Sequence, residues 1–156
     1  DAVVYHPNGN VKIVLDSQTL RGVNAQSKRN GGALILGEDV YNALQGEEFK
    51  KGKFGKLETS LSSRDVKSHP IWRALARDEK LLNDYTDLVF AEAKQKFKYD
   101  TNMGVYLGTA QGKTPEMRAV YVLGLESRSV VDGRYYLGSL DGRLVGVAPE
   151  AQSAKI

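Results

Sequence analysis

The residues best suited to holding a ligand fall in one stretch, Phe49-Lys50-Lys51-Gly52-Lys53-Phe54-Gly55-Lys56. Lysines alternate with aromatic rings on a backbone loosened by glycine. That mixture serves phosphate contact through the ammonium groups and base stacking on the rings. Lys50, Lys51, Lys53, Phe54 and Lys56 are therefore the candidate polyanion-binding residues, and Lys28 and Arg29 would extend the patch if two loops meet. The competing reading is a solvated loop whose phenylalanines fold back onto the domain.

Acid–base chemistry has fewer candidates. His69 stands beside Pro70 and near Asp65, an arrangement open to a histidine–carboxylate pair or to plain helix capping. There is no Gly-x-Ser-x-Gly elbow, no His-Glu-x-x-His and no Ser-x-x-Lys. Asp78 is a different case: on a continuous helix it falls between Leu75 and Leu82, inside an apolar stripe. A buried carboxylate needs a partner or stays protonated. Asp78 is thus expected to be a structural buried charge, with Arg118, Arg128, Arg134 and Arg143 as candidate partners.

Two short motifs bear on ligands. Gly108-Thr109-Ala110-Gln111-Gly112-Lys113-Thr114 resembles a phosphate-binding P-loop, but three residues separate its glycines where the motif needs four. A glycine turn ahead of a helix would still offer backbone N–H groups to an anion. Tyr136–Val145 resembles one blade fragment of a quinoprotein-type β-propeller. A propeller needs several blades and has no place for a long central helix, so the stretch is read as a hairpin and no function is carried over.

The elements that must position these residues follow from pattern. Ala2–Tyr5 and Val11–Leu15 flank Asn8-Gly9, a dipeptide suited to hairpin turns, with Val11, Ile13 and Leu15 on one half-buried face. Residues 16–32 read as a loop. Ala33–Leu36 is a short strand, and Glu38-Asp39 open a short helix with Gly46 as its stop. Residues 47–68 again read as a loop. A long helix is predicted from Pro70 to Lys98, burying Ile71, Trp72, Leu75, Leu81, Leu82, Tyr85, Leu88, Val89, Phe90 and Phe97. Val105–Leu107 is a strand or helix fragment. Thr114-Pro115-Glu116 signals a helix over 115–123, although Ala119–Leu123 would suit a strand. Val130-Val131, Arg134–Leu140 and Arg143–Ala148 complete a C-terminal meander, and a polar tail runs from 149.

Composition bounds the answer. The chain has 156 residues, 41% hydrophobic and 26% charged, with formal net charge +3. That is enough chain for one core, and the expectation is a single domain over 1–156: α+β, a mostly antiparallel sheet from N- and C-terminal strands packed against one long central helix plus shorter helices. With no cysteine and two well-separated histidines, neither a metal site nor a cofactor is expected. No apolar run reaches the ~18–20 residues of a membrane span. A cytoplasmic location is the expectation, with an extracytoplasmic mature form as the other option. The leading functional expectation is a non-enzymatic binding or interaction domain for nucleic acid, another polyanion or a protein partner. The alternative is a small hydrolase or transferase using carboxylate and histidine.

Overall fold

The structure is a computed structural model that describes residues 1–15, 22–23, 28–30, 33–50, 58–100, 103–123 and 129–133. It is an α+β fold built on two sheets. The first sheet contains β1 (Ala2–Tyr5), β2 (Val11–Val14), β3 (Lys28–Asn30), β4 (Ala33–Ile35), β5 (Glu47–Phe49) and β8 (Glu116–Ala119). Its order is β3-β4-β8-β1-β2-β5, and every neighbouring pair is antiparallel. The second contains β6 (Glu58–Leu61), β7 (Met103–Tyr106), β9 (Tyr121–Leu123) and β10 (Ser129–Asp132), in the order β6-β7-β10-β9. Only its β7–β10 pair is parallel. Four helices complete the described fold: α1 (Glu38–Ala43), α2 (Ser63–Ser68), α3 (Pro70–Ala76) and α4 (Glu79–Phe97). None is long and apolar enough to cross a membrane.

The β1–β2 hairpin forms where its turn chemistry points. Gly9 takes φ 90°, and the Asn8 side chain accepts from the Asn10 amide at 2.8 Å. Its strands, however, are not half-buried: all four residues of each are buried. The first sheet lies between two apolar clusters. Val3, Tyr5, Val11 and Ile13 join Ile71, Trp72, Leu82 and Val131 on one side, whereas Ala2, Val4 and Val14 meet Leu36, Tyr41 and Leu44 on the other. Alternation therefore divides side chains between two cores instead of between core and water. Tyr5 ties the sheets together: its hydroxyl donates to the Gly133 carbonyl at 2.8 Å and accepts from the Gly108 amide at 2.9 Å.

Several sequence expectations are corrected. The helix over 70–98 is two helices. Arg77 adopts φ 59° and ends α3, and Asp78 begins α4 as its N-cap, accepting from the Leu81 amide at 2.7 Å. The break resets the phase of the apolar stripe. Leu82, Thr86 and Ala93 become the buried line, while Leu81 and Leu88 stand about 60% exposed and Phe97 stacks on Tyr99 at the surface. The helix over 115–123 is instead β8 and β9. Hydrogen bonding of Glu116–Ala119 to β1, and of its first half to β4, outweighs the local helix-start signal. Nor are 47–68 and 16–32 wholly loop. The first includes β5, β6 and α2, and the second includes β3. The strands expected at 134–140 and 143–148, the propeller-like stretch and the tail lie outside the described residues.

Candidate functional site

The basic segment starts at a sharp change of environment. Phe49 ends β5 opposite Val11 and is buried in the core, and the next residue, Lys50, is exposed. Phe49 is thus packing material, as the competing reading had it for the phenylalanines. Lys51, Lys53, Phe54 and Lys56 lie outside the described residues. Lys28 and Arg29, offered as an extension of the patch, are placed by strand order. They belong to β3, at the opposite edge of the first sheet from β5, and five strand spacings of about 4.8 Å put roughly 24 Å between those edges.

Both histidines occupy structural positions. The His69 amide donates to the Val66 carbonyl, closing α2, and its Nδ1 accepts from the Ile71 amide at 3.2 Å, opening α3. An Nδ1 that accepts a bond carries no proton, and burial holds the imidazole below its ordinary pKa. Asp65 is bonded to the Ser62 hydroxyl at 2.6 Å in the cap of α2. His6 accepts from the Asn8 amide through Nδ1 and meets both Glu38 carboxylate oxygens through Nε2, each bond 3.1 Å. The latter pair joins the hairpin turn to the first turn of α1.

Beside it lies a polar cluster that alternation alone would have turned to solvent. Lys12 is 6% exposed, and its Nζ donates to the Tyr41 and Leu44 carbonyls at 2.9 and 3.2 Å. It thereby supplies cation and donors at the C-terminal end of α1, where carbonyls lack helical partners. Its Nζ also lies 4.2 Å from the Tyr41 ring centroid and 3.9 Å from Glu48. Burial, reinforced by the facing Glu48 carboxylate and the charge of Glu38, holds the Tyr41 phenol well above its ordinary pKa. Burial would raise Glu48, but the bond from Asn10 and the charge of Lys12 help to outweigh it and leave the carboxyl lowered. The result is a neutral phenol held between fixed charges, with no activated nucleophile.

The P-loop-like turn precedes a strand, so no helix N-terminus stands behind it. Its backbone nonetheless holds an anion, and the anion is internal. The Gln111 and Gly112 amides donate to Glu116 Oε1 at 3.0 and 2.9 Å, and Arg118 Nη2 donates to Oε2 at 3.2 Å. Glu116 is 3% exposed. The sequence reading missed this buried pair. Its signal was opposite charge at i and i+2, which places both side chains on one strand face.

Asp78 corrects the expectation of a buried charge. It is exposed, and its carboxylate caps α4. Arg118, one of its proposed partners, is engaged with Glu116, and Arg128, Arg134 and Arg143 lie outside the described residues. Among the described residues, no three histidine, aspartate or glutamate side chains gather as a metal site requires. In comparisons with family models, curated proteins and solved structures, none matches the chain.

Proposed function

We propose that the protein is a non-enzymatic binding domain that contacts a polyanion, with nucleic acid as the leading class, through the basic segment beginning at Lys50. The observation that carries this reading is the junction at Phe49 and Lys50. A buried ring and a ladder to β2 fix the start of the segment, and the first lysine beyond it faces water. A firmly anchored segment loses less freedom on binding than a free tail does. Lys50, Lys51, Lys53, Phe54 and Lys56 supply the charges and the ring, and β5, as an edge strand, has its outer side unpaired within the described sheet.

Retention on immobilised heparin, eluted with rising salt, is the first test. Retention well beyond that of a neutral control protein is expected, and so is its loss in a variant with Lys50, Lys51, Lys53 and Lys56 changed to Ala. Flow-through of the wild type at low salt, or equal retention of the variant, contradicts the reading.

A further inference from the structure

A cleft of about 510 Å³ opens between β2, the turn into β5 and the C-terminal end of α3. It is an open depression rather than an enclosed cavity, of a size within the range of small-molecule sites. Ile13, Leu15 and Ala74 give it apolar lining, and Glu47 and Arg77 bring opposite charges to it. The wall at Gly46 is backbone packed against backbone: a Cβ there would stand 2.2 Å from the Ile13 carbonyl oxygen.

The two charges are held apart and uncompensated. Arg77 Nη2 donates to the Leu15 carbonyl at 2.7 Å, a neutral acceptor that fixes the side chain and leaves its charge unpaired. Among the described residues, neither Arg77 nor Glu47 has an ion-pair partner, and the two do not pair with each other. The remaining guanidinium donors are open to a bidentate acceptor. Fixing the arginine beforehand lowers the entropy lost when a ligand arrives.

We propose that this cleft binds a small zwitterion with an apolar body, the chemistry of a hydrophobic amino acid or short peptide. The carboxylate lies on Arg77, the ammonium on Glu47, and the apolar body covers Ile13, Leu15 and Ala74. None of its lining residues belongs to the basic segment.

Amide chemical-shift titration of the whole chain tests this, with free leucine and the dipeptide leucyl-leucine as probes. At least one is expected to give saturable shifts at Leu15, Gly46 and Ala74, and the tighter binder identifies the size of the natural ligand. N-acetylation or C-amidation of that probe should each weaken binding about tenfold or more, as loss of a bond to a charged group does. Arg77→Gly removes the guanidinium while placing at φ 59° the residue that favours it, so the fold is retained. This variant should bind the acid and its amide equally. Glu47→Gln should likewise bind the free and acetylated forms equally. Absence of saturable shifts with both probes, or wild-type binding indifferent to blocking either charge, overturns the proposal.

Discussion

At the scale of single residues, His69 joins two helices through two different groups. Its amide serves the end of α2 and its ring nitrogen the start of α3, so protonating Nδ1 removes an acceptor that the Ile71 amide requires. The folded pKa is lowered by burial, so below about pH 6.5 the unfolded chain binds more protons and stability falls with pH. The contribution is complete above that value and is lost as pH falls toward the folded pKa. His69→Asn keeps a capping acceptor without the titration. Urea midpoints of the two proteins should therefore separate between pH 7.5 and pH 5, with the wild type losing more. Parallel curves would mean that the ring nitrogen is not the cap. Lys12 makes the complementary case of a buried cation. Lys12→Met preserves the apolar stem and strands the Tyr41 and Leu44 carbonyls at the end of α1, which should cost about 1–3 kcal/mol in denaturant unfolding.

At the scale of elements, the break at Arg77–Asp78 decides which residues of the third and fourth helices are core. Capping predicts that Asp78→Ala costs about 0.5–2 kcal/mol and that Asp78→Ser costs little. A buried ion pair would have lost about 3–5 kcal/mol. Unfolding curves of the two variants separate these cases. The same break predicts contrasting leucines. Leu82 is 1% exposed and Leu88 60%. Leu82→Ala should cost about 2–5 kcal/mol and Leu88→Ala should stay within about 0.5 kcal/mol. Similar losses at both positions would restore the continuous helix. The pattern gave one hint of the break: Asp78 falls inside the apolar stripe of a continuous helix, a place a carboxylate leaves if the helix ends there and the residue becomes a cap.

At the scale of the molecule, what could be read from the chain follows from where water is. The β1–β2 hairpin was legible because Asn8-Gly9 acts locally, and helix in 70–98 was legible because its apolar period was strong. The two-sided burial of the first sheet was not. A strand between two cores carries no polar face, and the one charge on β2, Lys12, is met by carbonyl acceptors and a carboxylate distant in sequence. Short strands such as β5 and β6 exist through pairing rather than through their own pattern. Of the candidate site, Lys50, Lys28 and Arg29 are among the described residues. Composition marked the lysines beyond Phe49, but only strand order shows that β5, which leads into them, and β3, which carries Lys28 and Arg29, are opposite edges of one sheet.

The central claim is that this segment, and no other basic surface, carries polyanion binding. The salt dependence of affinity for a labelled single-stranded oligonucleotide, measured by fluorescence anisotropy, tests it most directly. Each phosphate contact made by a lysine contributes about −0.7 to the slope of log K against log salt for a single strand. Changing Lys50, Lys51, Lys53 and Lys56 to Ala should flatten the slope by roughly 2–3 while weakening affinity at low salt. A slope and an affinity identical to the wild type's would contradict the account and move the binding surface elsewhere.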